Sequence, residues 1–107
     1  MRHEILLLEN AIKDLEVIYQ SLKQRASREV ALREIEGLES ACASLAENPS
    51  RGSVPHELER INIFEYRQII SKSFRIIYQV VGNNVFVFGI LHGKRNIQDL
   101  LRQRLSF

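Results

Sequence analysis

The hydrophobic pattern changes from a helical period to a strand period near the middle of the chain, and this change limits the fold more than any other feature of the sequence. Between residues 11 and 48 the apolar residues recur every three or four positions, as they do on one face of a helix. From Phe64 onward they alternate, and the β-branched and aromatic residues that favour strands become frequent. Helices followed by a run of strands are typical of an α+β fold.

The helical half divides into two amphipathic segments. Asn10 and Ser27 are predicted to cap the two helices, because each side chain can accept a hydrogen bond from a first turn. The pair Asn48-Pro49 is predicted to end the second helix. Only a few residues join the segments, so we expect an antiparallel helical hairpin. The two apolar stripes are Ile12, Leu15, Ile18, Tyr19 and Leu22, and Ala31, Ile35, Leu38, Cys42 and Leu45.

Four segments are predicted to be strands, with helical spacing returning in residues 96–105. Short polar turns, Ser71-Lys72-Ser73 and Gly82-Asn83-Asn84, separate the last three strands, which we therefore expect to pair as antiparallel neighbours. The predicted order is β-α-α-β-β-β-α in one domain, residues 1–107. The hairpin should cover one face of the antiparallel sheet and leave the other partly open to a partner. The predicted strands are His3–Leu8, Phe64–Ile70, Phe74–Val81 and Val85–Leu91.

Composition narrows the class of protein further. The 107 residues give room for one core, and no apolar run approaches the roughly 20 residues that span a bilayer. The apolar stretch near the start, Ile5 to Leu8, is too short for the core of a signal peptide. Cys42 is the only cysteine, and the three histidines lack metal-ligand spacing, so neither a disulfide nor a metal or cofactor is predicted. These features favour the cytoplasm.

Charge is distributed unevenly between the two halves of the chain. Residues 1–50 carry six Lys and Arg against nine Asp and Glu, whereas residues 51–107 carry nine against four. The basic C-terminal half is therefore a candidate contact for an acidic partner or a nucleic acid. A chance imbalance on a solvated surface would give the same counts.

Two arginines lie in the hairpin YRQIISKSFRIIYQV, and their arrangement depends on its turn. A three-residue loop at Ser71-Lys72-Ser73 would place Arg67 and Arg75 on one face, as a cluster of positive charge. A two-residue loop at Lys72-Ser73 would shift the register and place them on opposite faces. The sequence is compatible with both registers, and with arginines that are simply solvated.

A second cluster of polar residues follows the last strand, in LHGKR. His92 can carry a proton near neutral pH, and Arg95 can hold a phosphate at two points. Gly93 gives the backbone freedom to turn there. The alternative is that Lys94 and Arg95 are only a polar exit from a buried strand.

Together, these stretches resemble the RelE/ParE superfamily, the toxins of type II toxin–antitoxin modules. The matching segments are NPSRGSVPHEL, YRQIISKSFRIIYQV, VFVFGILHGKR and DLLRQRL, in that order, and the two helices fit in position and length. The resemblance covers nearly the whole chain. It implies a RelE-like fold of the type described above, an acidic antitoxin as partner, and one of two unrelated targets.

RelE-type members are ribosome-dependent mRNA endonucleases, and the chain departs from their pattern at two positions. Arg67 stands in place of the first lysine of that pattern, and Arg75 and Arg95 match its two arginines. The second lysine falls on Ile69, and the tyrosine near the C-terminus falls on Leu101. An aliphatic side chain can neither help to deprotonate a 2′-hydroxyl nor stack on a base in the same way.

ParE-type members inhibit DNA gyrase and lack the nuclease residues, and the chain resembles them more closely. The loop P-S-R-G, the strand R-I-I-Y, the histidine and arginine after the last strand, and the helix that follows all look ParE-like. The net charge of only +2 agrees, since a protein that grips ribosomal RNA is expected to be more basic. The resemblance therefore implies a gyrase inhibitor that acts by binding.

The resemblance also implies roles for the cationic residues. For contact with the target we expect Arg67, Arg75, His92, Lys94 and Arg95. If the chain were instead a nuclease, its catalytic candidates would be Arg67, Arg75, His92 and Arg95, with His92 as a substitute acid or base. The antitoxin is expected to dock an amphipathic or extended segment on exposed apolar surface of the helical hairpin and the sheet.

Overall fold

The computed structural model describes residues 2–105 and has the element order that the sequence predicts, with two short additions. Its elements are β1 (Glu4–Leu7), α1 (Glu9–Arg25), α2 (Arg28–Ser44), a 3₁₀ turn (Pro49–Arg51), α3 (His56–Glu59), β2 (Arg67–Ser71), β3 (Phe74–Val81), β4 (Asn84–His92) and α4 (Ile97–Leu105). The 3₁₀ turn and α3 lie in the segment expected to be a loop. The α+β fold is confirmed.

The four strands form one sheet in the order β1-β4-β3-β2. Strands β2, β3 and β4 are antiparallel neighbours, as expected from their short turns, whereas β1 pairs in parallel with β4. The pairing of β1 covers only the first half of β4, from Asn84 to Val87. Among the described residues, therefore, no strand lies beside the outer edge of β4 from Phe88 to His92. In the described residues no helix is long and apolar enough to cross a membrane.

The helix caps follow the sequence prediction at one of two positions. Ser27 is the N-cap of α2 and accepts a hydrogen bond from the backbone N–H of Val30, at 3.1 Å. The prediction for Asn10 is wrong, because α1 begins at Glu9, two residues earlier than a cap at Asn10 requires, and Leu8 holds its N-cap position. The carbonyl of Leu8 accepts from Ala11 and Ile12, so the chain passes from β1 into α1 without a side-chain cap.

The helical hairpin packs on one face of the sheet and forms the first core. Most of the two predicted stripes face this core, but Ile12 lies exposed on α1. Cys42 is packed in it, as its place on the stripe of α2 predicts. Its buried members are Ala11, Leu38 and Cys42 from the helices, Leu45 at the C-cap of α2, and Ile69, Ile76, Tyr78, Val85, Val87 and Ile90 from the sheet.

The opposite face of the sheet, which we expected to be partly open, carries a second core at one end. The helices α3 and α4 cover Ile77 and Leu91 there, and the rings of Tyr66 and Phe88 meet edge to face at 5.1 Å. Because α3 falls in a segment with loop-like composition, this cover was not predicted. The remaining members of the second core are Leu58, Ile97, Leu100 and Leu101.

The β2–β3 turn resolves the register of the two hairpin arginines. Ser71 pairs with Phe74, so the loop has two residues, and Lys72 takes a left-handed backbone with φ of 55°. Arg67 lies opposite Tyr78, and Arg75 lies opposite Ile70. Because side chains alternate along a strand, Arg67 and Arg75 point to opposite faces of the sheet. The two arginines do not form one cationic cluster.

Candidate interaction site

A groove of about 300 Å³ runs between the C-terminal half of α1 and the outer edge of β4. It exists because β1 stops at Leu7 and leaves the second half of β4 facing the helix. At Phe88 a bulge interrupts the pairing of β4 with β3, since Ile77 pairs with Gly89 and Tyr78 with Val87. Bulges change the direction of a strand, and this one lies where β4 passes beyond β1.

Side chains satisfy the backbone of β4 where the neighbouring strand is missing. The N–H of Ile90 donates to Oδ2 of Asp14 at 2.9 Å, and the carbonyl of Phe88 accepts from Nη1 of Arg104 at 3.2 Å. Asp14 and Arg104 also form a two-point ion pair, with distances of 2.6 and 2.8 Å. This pair, which we call the edge pair, closes one end of the groove and joins α1, β4 and α4.

The floor of the groove is apolar and its far end is cationic. Val17 lies at the side of the groove and is 68% exposed, a large fraction for a valine on a packed helix. At the far end stand Arg25 and Arg95, both exposed, beside His92, whose ring meets that of Phe74 edge to face at 5.8 Å. Since Asp14 is engaged by Arg104, the charge offered to a ligand is positive. The apolar lining consists of Val17, Ile18, Leu22, Phe74, Ile90 and Leu91.

The structure brings together some of the residues singled out in the sequence and separates others. His92 and Arg95 both line the groove, and Lys94 is exposed between them. Arg67 lies elsewhere, half-buried, and donates to the carbonyl of Gly52 at 2.7 Å. Arg75 is buried on the face opposite to Arg67.

Arg75 binds other parts of the protein through its guanidinium group. Its two terminal nitrogens donate to the carboxylate of Glu57 at 3.2 and 2.8 Å, to the side chain of Gln68 at 3.2 Å and to the carbonyl of Arg95 at 2.5 Å. The hydrogen bond from Arg75 lowers the pKa of Glu57. The ion pair is therefore stabilising at neutral pH, and its contribution is lost as the pH falls through the lowered pKa.

The two positions at which the chain departs from the RelE pattern are both buried. Ile69 points toward the helical hairpin in the first core, and Leu101, a residue of α4, is buried in the second core. Neither side chain faces the groove or reaches the cationic residues at its end. These positions serve packing in this protein.

The loop P-S-R-G is held against the sheet by Tyr78. The hydroxyl of Tyr78 donates to the carbonyl of Pro49 at 2.6 Å and accepts from the N–H of Gly52 at 3.1 Å. A Cβ atom on Gly52 would overlap that hydroxyl oxygen, so glycine is needed there. Ser53 then pairs with Gln68 and covers part of the free edge of β2. Burial raises the pKa of Tyr78. This loop has a structural role.

Cys42 is a poor candidate for chemistry. Burial, and secondarily the nearby charge of Glu39, raises the pKa of its thiol to about 11. Thiolate is the reactive form of cysteine, and it is scarce at neutral pH for such a group. In the described part of the chain, no three His, Cys, Asp or Glu side chains are grouped so that they could hold a metal ion.

The state of Cys42 can be tested with iodoacetamide at pH 8. We expect the folded protein to react at least about 100-fold more slowly than an unperturbed thiol, because a pKa near 11 leaves about one thiolate per thousand. In denaturant the same cysteine should react at the ordinary rate, which provides the control. Equal rates in the folded and denatured protein would contradict the buried position.

Three residues that matter for the groove were not recognised in the sequence as site residues. Asp14 and Arg104 are 90 positions apart, and no local pattern links them. Arg25 lies in the last turn of α1, where a basic residue is favoured by the helix dipole alone, so its position gives no sign of a site. A signal for Asp14 does exist, because it lies next to Leu15 on the apolar side of α1, where an acid needs a partner.

Comparison with known proteins places the chain among toxins. Residues 5–97 match a family described as the ParE toxin of type II toxin–antitoxin systems, parDE. The fold is similar to a chain of the chromosomal ParDE system from P. aeruginosa, with a TM-score of 0.73 and 18% identity over 85% of this chain and 96% of that one. It is also similar to a chain of the toxin–antitoxin complex RelBE2 from Mycobacterium tuberculosis, with a TM-score of 0.58 and 14% identity over 86% and 92%. No curated protein matches the sequence.

Proposed function

We propose that this chain, which belongs to the ParE toxin family of type II toxin–antitoxin systems, inhibits DNA gyrase by binding to it and is neutralised by a small acidic antitoxin. The family membership confirms the resemblance seen in the sequence. The target within that family is the proposal. We assign target contact to three exposed residues, His92 at the end of β4 and Lys94 and Arg95 just after it.

The observation that carries the proposal is which residues occupy the positions of the nuclease residues in this protein. A RelE-like enzyme needs polar groups that can move a proton and a ring that can stack on a base. Here the corresponding positions, Ile69 and Leu101, are buried apolar side chains in two different cores. Arg75, which matches a nuclease arginine, donates hydrogen bonds from both terminal nitrogens to groups of the protein itself. Binding without catalysis is the function that these residues support best.

The groove between α1 and β4 is our candidate site for the antitoxin. Its apolar floor suits the apolar side of a helix or an extended segment, and its cationic end suits acidic residues of the same segment. Asp14 and Arg104 already satisfy the outer edge of β4 at Ile90 and Phe88, so an extended segment could pair with the sheet only beyond Ile90, near His92. The two similar structures come from a ParDE system and a RelBE2 complex, which supports a partner of this class.

A plasmid supercoiling assay tests the target. Purified toxin should inhibit supercoiling by gyrase, and toxin premixed with its antitoxin should not, because the antitoxin would cover or displace the surface that gyrase needs. The control is the same toxin in a translation reaction, where messenger RNA should stay intact. Supercoiling that continues at saturating toxin would refute the proposal.

An mRNA endonuclease is the second candidate, and it keeps one observation in its favour. His92, Lys94 and Arg95 are exposed together at the end of β4, where they could bind a phosphate and move a proton. Cleavage of messenger RNA during translation that disappears in His92→Ala would favour this function. Cleavage that persists in that variant would argue against His92 as its acid or base.

A further inference from the structure

We propose that Arg75 is a positioning residue that fixes the cationic segment Lys94–Arg95 and the start of α4, and that it does not itself contact the target. The inference rests on the proposed function, because that segment is the one assigned to target contact. It changes the role expected for Arg75 from the sequence, where this arginine was a candidate for the target surface.

The first argument is that Arg75 has no accessible donor left. A guanidinium carries five N–H groups, four of them on its two terminal nitrogens. Nη1 donates to Glu57 and Gln68, and Nη2 donates to Glu57 and to the carbonyl of Arg95. The fifth donor, on Nε, is buried without a partner in the described structure. With a residue exposure of only 7%, Arg75 offers nothing to a phosphate or to an acidic side chain.

The second argument is that one bond of Arg75 holds the segment between β4 and α4, and that its partner Glu57 is bonded to the first turn of α4. The carbonyl of Arg95 is held by Arg75, while its N–H donates to the carbonyl of His92 at 2.9 Å. One turn later, the side-chain amide of Gln98 donates to the carbonyl of Glu57 at 2.6 Å. Glu57 therefore ties both Arg75 and α4 to α3. We call Arg75, Glu57 and Gln98 the clamp.

The third argument concerns what the clamp adds beyond packing. Lys94 and Arg95 are exposed and belong to neither core, unlike Ile97, which is buried in the second core. A surface cation binds a target more tightly when its backbone is already ordered, since less freedom is lost on binding. The hydrogen bond from Arg75 to the carbonyl of Arg95 supplies that order.

The two possible roles of Arg75, positioning the segment or contacting the target directly, predict different effects of a substitution at Glu57. If Arg75 acts through the clamp, Arg75→Met and Glu57→Gln should both raise the toxin concentration needed for half-inhibition of gyrase by roughly tenfold, because both loosen two exposed cations. The double variant should be no worse than either single variant. If Arg75 touched the target, Glu57→Gln would leave inhibition unchanged or improve it, because it would free the guanidinium.

The experiment measures both inhibition and amide hydrogen exchange, at a temperature where circular dichroism shows each variant folded. In Arg75→Met and Glu57→Gln, the amides of Arg95 and Leu100 should exchange faster while those of the helical hairpin keep their protection. A general loss of stability would instead speed all amides together. Arg60→Met, which removes an exposed positive charge beside α3, is the control and should behave as the wild type.

Two results would overturn the inference: wild-type inhibition by Glu57→Gln beside a weakened Arg75→Met, or unchanged exchange at Arg95 and Leu100 in both variants. Failure of the proposed function looks different. If the wild-type protein does not inhibit gyrase, the exchange measurement still reports whether Arg75 and Glu57 hold the segment.

Discussion

Asp14→Ala is expected to lower the free energy of unfolding by about 3 kcal/mol, the largest effect on stability that we predict for a single substitution. The edge pair is largely buried, with 12% of the Asp14 side chain and 15% of the Arg104 side chain exposed. Removal of the carboxylate leaves the guanidinium buried without its counter-charge and the N–H of Ile90 without an acceptor. Both losses act in the same direction, because each leaves a desolvated polar group unpaired.

The measurement is thermal and denaturant unfolding of matched arginine variants. Arg104→Ala should destabilise the protein to a similar degree as Asp14→Ala, with a fall in Tm of roughly 12 °C for about 3 kcal/mol in a domain of this size. Arg102→Ala provides the control, because this arginine lies on the same helix in an exposed ion pair with Asp99 and should change stability by less than about 0.5 kcal/mol.

The double variant shows whether the pair acts as a unit. Each single variant leaves the other charge buried without its partner. The double variant Asp14→Ala with Arg104→Ala should therefore lose clearly less free energy of unfolding than the sum of the two single losses. Equal and small losses for Arg104→Ala and Arg102→Ala would mean that the edge pair contributes no more than an exposed pair.

The order of the elements could be predicted because it depends on local patterns. The change of hydrophobic period separates the helical hairpin from the strands, and Ser27 is a cap whose geometry needs only the next three residues. Asn10 misled the prediction because the backbone carbonyl of Leu8 already serves the start of α1. The helix α3 was missed because one turn of helix between a proline and a polar stretch has no periodicity to detect.

The register and the roles of the arginines could not be predicted from the same patterns. Two turn lengths fitted the sequence equally, and a single residue of difference decides which face Arg67 and Arg75 occupy. The partners of Arg75 lie between 7 and 20 positions away, on α3, on β2 and in the segment between β4 and α4. The edge pair spans 90 positions. Such contacts depend on how the elements pack, and this packing cannot be predicted from residues that are neighbours in the sequence.

Val17→Asp is expected to weaken antitoxin binding by about 100-fold, or about 2.7 kcal/mol, if the antitoxin lies in the groove between α1 and β4. An exposed valine beside an apolar floor should be buried by the partner, and burial of such a side chain contributes about 1.5–3 kcal/mol. An aspartate in its place would also have to be buried beside an acidic partner, which costs more.

Ile12→Asp is the matched control, because it places the same charge on the same helix outside that groove. Ile12 is 47% exposed and lines the separate groove between α1 and α2, whose charged rim residues are Glu16 and Glu39. This acidic rim would repel an acidic antitoxin, so Ile12→Asp should keep the affinity for the antitoxin within about threefold of the wild type. Calorimetry or surface plasmon resonance with the antitoxin encoded beside the toxin measures both variants. Loss of binding in Ile12→Asp with binding retained in Val17→Asp would instead place the antitoxin in the groove between α1 and α2.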